Sequence, residues 1–188
     1  MYPATISSPN CLYSILQSIV NEWFYLIYFT PHIMKFYNIK STQHLPISLE
    51  EAWDFFSSPN NLAKITPPDM GFIITSDKKD GQKMYAGQII TYIIKPMFGI
   101  PVKWMTEITH VKDGEYFIDE QRFGPYKLWH HRHSFTKTAT GVEMNDEVNY
   151  VLPFGIFGSI AHALFIRKRV EEIFTYRTKV VHKLFSIK

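Results

Sequence analysis

The residues best suited to chemistry lie in the segment Lys127–Lys137, which reads KLWHHRHSFTK. Alternation along a strand puts Trp129, His131, His133 and Phe135 on one face, and Leu128, His130, Arg132 and Ser134 on the other. In the following run, Met144, Asp146, Val148 and Tyr150 alternate with Glu143, Asn145, Glu147 and Asn149. The second set is wholly polar and must meet water, so the first set points inward. The connector sets the register. A four-residue loop, Thr138-Ala139-Thr140-Gly141, holds a type I turn with Gly141 in the left-handed position, and it closes with Lys137 opposite Val142. Phe135 then faces Met144, His133 faces Asp146, His131 faces Val148 and Trp129 faces Tyr150. Outside, Arg132 meets Glu147, an attractive cross-strand pair. A two-residue loop at Ala139-Thr140 gives the same register but asks two poor residues for positive φ. A three-residue loop would bring Arg132 onto the face of Val148.

His131, His133 and Asp146 thus share an inner face. A carboxylate beside an imidazole raises its pKa and fixes its tautomer. Such a group suits acid–base work, with His133 and Asp146 as the catalytic candidates, or the orienting of a ligand. It equally suits an internal histidine pair that fixes register and touches no ligand. Metal ligation by the three needs a convergence that histidines at i and i+2 give only sometimes, and no metal is expected. In the preceding run, Asp119 and Gln121 alternate with Ile118, Glu120 and Arg122, and periodicity leaves open which set faces inward. A three-residue loop at Gly124-Pro125 would put Asp119 opposite His131 and Gln121 opposite Trp129. Trp104, Thr106 and Ile108 share a face with Glu107 on the opposite one, and Ile90, Tyr92 and Ile94 line the neighbouring run. Taken singly, each of these aromatic residues is more often core than ligand contact.

The elements that position these residues follow from pattern. Lys35 to Leu45 reads as a strand stopped by Pro46. Ser48 with Glu51 forms a capping box that opens a helix over Leu49–Phe56. Pro59 opens a second short helix, Asn60 to Ile65, ended by Pro67-Pro68. Six strand-like runs follow: Gly71–Ser76, Gln88–Lys95, Lys103–Val111, Glu115–Phe123, Lys127–Lys137 and Val142–Leu152. Turn residues, among them Asp80-Gly81 and Asp113-Gly114, separate them, and such short connectors argue antiparallel pairing. After Gly155 the period becomes helical, with Ile156, Ile160, Leu164, Ile173, Val180 and Leu184 recurring over nearly 30 residues, about 40 Å. The expected fold is α+β of the helix-grip kind: a curved seven-stranded antiparallel sheet wrapped on a long C-terminal helix, in β-α-α-β6-α order. The space left between sheet and helix is a hydrophobic cavity, with its mouth near Pro153-Phe154-Gly155 and the Pro96–Pro101 loop. Phe157 and Leu164 complete the expected lining.

Composition narrows the function classes. The chain has 188 residues, 46% of them hydrophobic and 16% aromatic, enough for a sizeable core. Its 20 Lys and Arg against 17 Asp and Glu give a net charge of +3, too mild and dispersed for nucleic-acid binding. One cysteine, Cys11, excludes a disulfide framework. Residues Met1–Ile33 contain no Lys or Arg, and Glu22 is their only acid. They lack the positive n-region of a secretory signal, and Asn21-Glu22 interrupts the apolar run, so a spanning helix is not expected. A weakly anchoring helix over 12–29, an ill-ordered tail and an artefact of start assignment stay open for this extension. The functional domain is expected over residues 34–188, in the cytoplasm, with membrane contact not expected.

The run FIDEQRFGPYKLWHHRHSF, Phe117–Phe135, followed by EVNYVLPFG, Glu147–Gly155, resembles bacterial proteins of the START-like, or SRPBCC, ligand-binding superfamily. That superfamily includes the major birch pollen allergen and aromatic polyketide cyclases. The match extends to Asn61-Leu62, Ile65-Thr66-Pro67-Pro68 and the Trp104, Thr106, Ile108 strand, and covers Lys35 to about Leu184. It implies a cavity for a lipid-like or aromatic molecule, favours Asp119, Gln121, Trp129, His131 and His133 as one pattern, and implies no proven catalytic set; no cofactor is expected. Some relatives are fused to an epimerase-like domain, so an epimerase-like partner protein is also implied. The leading expectation is a binder of a hydrophobic small molecule. A cyclase- or dehydratase-like enzyme using His133 and Asp146 is the first alternative. A quinone or lipid chaperone at a membrane is the second, motivated by Arg167-Lys168-Arg169.

Overall fold

The structure, a computed structural model, describes residues 17–21, 35–76 and 83–185. Chain contacts divide it into Met1–Ile33 and Met34–Lys188. In the first unit residues 17–21 are helical, and the rest of the expected helix over 12–29 lies outside the described residues, as does the Asp80-Gly81 turn.

The second unit opens with β1 (Phe36–Leu45), whose exposure alternates residue by residue as a half-buried strand requires. Helix α1 (Leu49–Phe56) begins where expected. Ser48 accepts a hydrogen bond from the Glu51 amide at 3.1 Å, and Ala52, Trp53 and Phe56 form the buried stripe. The second short helix is a 3-10 segment, Pro59–Ile65, and a further 3-10 turn, Pro68–Met70, ends at Gly71 in the left-handed conformation. That turn consumes the start of the next run, so β2 is only Ile73–Ile74. The remaining strands are β3 (Gln88–Ile94), β4 (Val102–Lys112), β5 (Tyr116–Phe123), β6 (Leu128–Thr138) and β7 (Gly141–Val151). All seven form one antiparallel sheet, ordered β1-β7-β6-β5-β4-β3-β2.

The β6–β7 register is the expected one. Phe135 pairs with Met144, His133 with Asp146, His131 with Val148, Trp129 with Tyr150 and Arg132 with Glu147. The ladder runs one pair further than expected, to Thr138 and Gly141, and the two-residue turn avoids the cost foreseen for it. Ala139 and Thr140 keep negative φ, and Gly141 alone takes φ +147°. A Cβ at Gly141 would collide with the Leu45 carbonyl, so glycine is required twice over.

The chain then forms α2 (Gly155–Ala161), a π-helical turn (His162–Ile166) and α3 (Arg167–Phe185). Its inward phase corrects the sequence expectation. Ile156, Ile160, Leu164 and Leu184 are exposed, whereas Gly158, His162, Val170, Phe174, Val181 and Phe185 are buried. Between 158 and 174 the inward residues recur every fourth position. That interval exceeds the 3.6-residue period, and a π turn supplies the difference. His162 anchors the turn, with its Nε2 2.8 Å from the Tyr150 hydroxyl and its ring stacked on Tyr37 at 3.5 Å. Toward its end, α3 packs Val181 and Phe185 with Leu45, Trp53, Phe135 and Met144. Earlier, Val170 and Phe174 pack with Val148 and Tyr150.

Candidate functional site

Between these two packed regions lies a cavity of about 140 Å³. Strands β3 and β4 give it Ile90, Tyr92, Ile94, Trp104, Thr106 and Ile108, and α3 gives it Val170, Ile173, Phe174 and Arg177. Phe117, Tyr126 and Trp129 continue the apolar wall, with Ile65, Met70 and Phe72 opposite. One polar spot sits on the β4 wall. The Trp104 indole N–H donates to Thr106 Oγ1 at 3.1 Å, and the Tyr92 hydroxyl lies 3.2 Å from the same oxygen. Burial pushes the Tyr92 phenol well above its ordinary range, so it stays protonated.

The main polar group stands on β5 and β6. Asp119 pairs with His131 across the ladder, and its side chain faces inward beside Phe117. Two carboxylates and two imidazoles then form a closed set. His131 Nε2 lies 2.9 Å from Asp146 Oδ1, and His133 Nε2 lies 3.0 Å from Asp119 Oδ2. The complementary approaches are His131 Nδ1 to Asp119 Oδ2 at 3.4 Å and His133 Nδ1 to Asp146 Oδ1 at 2.7 Å. The last is short but off the hydrogen-bond direction, leaving it an electrostatic contact. Burial alone would raise both aspartic acids, but the imidazoles outweigh it and hold Asp119 and Asp146 below the carboxylate range. Burial and the charge of His133 lower His131. Burial also opposes charge on His133, yet the two carboxylates prevail and raise it. The two histidines are thus pushed in opposite directions, His133 up and His131 down.

Arg177 joins this group from α3. Its guanidinium lies 5.3 Å over the Phe174 ring, and its Nη1 is 3.9 Å from Asp146 Oδ1. Its side chain is 12% exposed, and among the described residues Nε and Nη1 have no hydrogen-bond partner. A cationic donor with unused N–H groups at a cavity wall is suited to an acceptor oxygen on an occupant. Sequence reading passed over Arg177 because polar residues on a terminal helix read as its solvated side. Its position one turn from buried Phe174 was the available signal.

Of the residues singled out from the sequence, Tyr92, Trp104, Thr106, Ile108, Asp119, Trp129, His131 and His133 line the cavity. Asp146 is buried behind the two imidazoles. Phe135 and Met144 are not lining residues, because α1 covers them with Trp53 and Phe56. Tyr150 is core, turned toward His162. Phe157 and Leu164 are 78% and 71% exposed, on the outward phase of the helix. Gln121 is displaced as well. It stands opposite Thr106, but the β5–β6 ladder stops at Glu120–His130, and its amide clasps the Tyr126 backbone, donating to O at 2.6 Å and accepting from N at 3.2 Å. At the expected mouth, Pro96 lines the cavity while Pro153–Gly155 do not. Arg169 ties α3 to that side, donating to Pro96 O at 3.0 Å and Asp69 Oδ2 at 2.6 Å, rather than standing in solvent.

No known protein-family profile matches the chain, and no curated protein does. Solved structures do. A protein from Chromobacterium violaceum superposes with a TM-score of 0.60 at 14% identity, covering 80% of this chain and 98% of its own. The major latex-like protein 151 of Panax ginseng gives 0.58 at 9% identity, covering 80% and 97%. A Mycobacterium smegmatis protein gives 0.56 at 16% identity, covering 80% and 91%. The fold is helix-grip. Such identities speak for the architecture and leave the chemistry to this chain's own residues.

Proposed function

We propose that the chain binds a compact hydrophobic or aromatic small molecule in the cavity between sheet and α3. The observation that carries this reading is the cavity itself, bounded by aromatic and aliphatic walls with one charged group on its side. Empty space of about 140 Å³ costs a fold about 3 kcal/mol at roughly 24 cal/mol per Å³, a large share of a domain's stability. A dry cavity of about 150 Å³ accepts one benzene ring, so an occupant near that size fits without rearrangement. Trp104 and Trp129 supply flat faces, and Arg177 supplies donors for a single acceptor oxygen. Native mass spectrometry of the purified protein after exposure to a lipid extract and to single-ring aromatics is the test. One retained molecule per chain is expected, and repeated failure to retain any apolar molecule would contradict the reading.

A second reading, exchange of the occupant with a membrane, is supported by the surface beside Pro96. Phe98, Ile100, Phe154, Ile156, Phe157 and Leu164 are all exposed, and Phe98 meets Phe165 edge-on at 5.7 Å, joining loop to helix. Phe98 and Phe154 hold positive φ, a strained state for phenylalanine. Arg167 and Lys168 follow on the same helix, suited to anionic headgroups. Among the described residues no helix is long and apolar enough to cross a membrane, so contact here would be superficial. The double variant Phe157→Ser, Leu164→Ser is expected to shift stability by no more than about 0.5 kcal/mol. It should abolish flotation with phosphatidylglycerol vesicles. Equal flotation of variant and parent would remove this reading.

A further inference from the structure

The arrangement of Asp119, His131 and His133 has donors to spare. His131 engages Asp146 Oδ1 through Nε2 at 2.9 Å, and its other ring nitrogen, Nδ1, stands 3.4 Å from Asp119 Oδ2. Asp119 Oδ2 also meets His133 Nε2 at 3.0 Å, and one ligand atom from each of the three residues falls within 4.8 Å of the others. Bonds of ~2.0–2.1 Å place neighbouring ligands about 3.3 Å apart in a tetrahedral shell and about 3.0 Å apart in an octahedral one. The two oxygen–nitrogen separations, 3.0 and 3.4 Å, match those values.

We propose that Asp119 Oδ2, His131 Nδ1 and His133 Nε2 form a binding site for one first-row divalent transition metal of the Zn²⁺ class, with its open coordination position turned to the cavity. Any proton held on a ligating nitrogen is released to solvent as the ion binds. Asp146 then sits behind both ligand rings, 2.9 Å from His131 Nε2 and 2.7 Å from His133 Nδ1. A carboxylate on the far nitrogen is what orients metal-binding histidines and strengthens them as donors. Here Asp146 hydrogen-bonds the His131 ring and lies against the His133 ring as an electrostatic contact. Two nitrogens and one oxygen suit Zn²⁺, Co²⁺ or Fe²⁺ better than Mg²⁺ or Ca²⁺, which prefer oxygen shells. The carboxylate is Asp119 rather than the Asp146 weighed from the sequence, because Asp146 approaches the rings through their other nitrogens. This site stands independently of the apolar occupant proposed above.

The test uses the full chain, stripped with EDTA and titrated with Co²⁺ followed by Zn²⁺. The expected result is one equivalent of Co²⁺ with ligand-field absorption, displaced by one equivalent of Zn²⁺. Asp119→Asn should abolish binding at concentrations that saturate the parent, and Asp146→Asn should weaken it by roughly 10–100-fold. Circular dichroism confirms that the variants fold. If either fails to fold, the Co²⁺ form of the parent decides by NMR. Two hyperfine-shifted, exchangeable imidazole N–H resonances, one per ligand ring, are expected. No stoichiometric binding, binding unchanged in Asp119→Asn, or fewer than two such resonances would overturn the site.

Discussion

At the scale of single residues, the site works by giving each buried polar atom a partner or an assigned task. Thr106 is the clearest case, since its one oxygen serves both the Trp104 indole and the Tyr92 hydroxyl. Thr106→Val keeps the volume and removes that oxygen, so it should cost about 1–3 kcal/mol in urea denaturation. An unchanged midpoint would mean the two aromatic groups find other partners. His162 makes a pH-dependent contribution of a different kind. Burial, and then the charges of Lys35 and Arg167, lower its pKa, with Glu171 opposing, and its ring meets the Tyr150 hydroxyl and Tyr37. Because the folded-state value is depressed, the unfolded chain takes up the proton first as pH falls. The stability due to neutral His162 is therefore complete above about pH 6.5 and declines below it. His162→Gln keeps a hydrogen-bonding side chain and cannot titrate, so its stability should fall less than the parent's between pH 7 and 5. Parallel stability curves would contradict the assignment. Much at this scale was legible in sequence. A wholly polar outer set on β7 fixed the inner set, and turn chemistry placed His133 against Asp146. The inward face of Asp119 was not legible, because β5 carries polar residues on both faces, Asp119 and Gln121 on one and Glu120 and Arg122 on the other.

At the scale of elements, strands were easier to read than the terminal helix. Period 2 with one charged face admits a single phase, whereas the helix offers large aliphatic residues on two phases. Ile156, Ile160 and Leu164 attract a core assignment by hydrophobicity, yet the π turn at His162–Ile166 carries the inward line through Gly158, His162 and Val170. No pattern based on a 3.6-residue period contains that shift. The same error sent Phe157 and Leu164 into the expected site. The β6–β7 hairpin supplies an element-scale test. Gly141→Ala forces a side chain onto φ +147° and against the Leu45 carbonyl. It should cost about 1–3 kcal/mol from backbone strain alone. Hydrogen exchange should then rise first in β7 near its Gly141 end. Wild-type protection there would show that the turn does not govern the hairpin.

At the scale of the whole molecule, the sequence order already carried the architecture: one strand, two short helices, six antiparallel strands and a terminal helix. The helix-grip neighbours agree with it. Cavity size was not legible, because it depends on how far α3 stands off β3 and β4, and that distance follows from packing at both ends of the helix. Val181 and Phe185 fix one end, while His162, Val170 and the Arg169 tie to Pro96 and Asp69 fix the other. The space left between is therefore framed by well-packed regions and does not close by simple collapse, as an accidental void tends to do. The most direct test is an NMR titration of the full chain with benzene and indole, repeated on Ile90→Phe, whose larger ring fills part of the cavity. The account predicts saturable one-to-one binding, with shifts concentrated at the Trp104 and Trp129 indole N–H groups, and its loss in Ile90→Phe at retained stability. Absence of saturable binding by the parent, or equal binding by the filled variant, would contradict it.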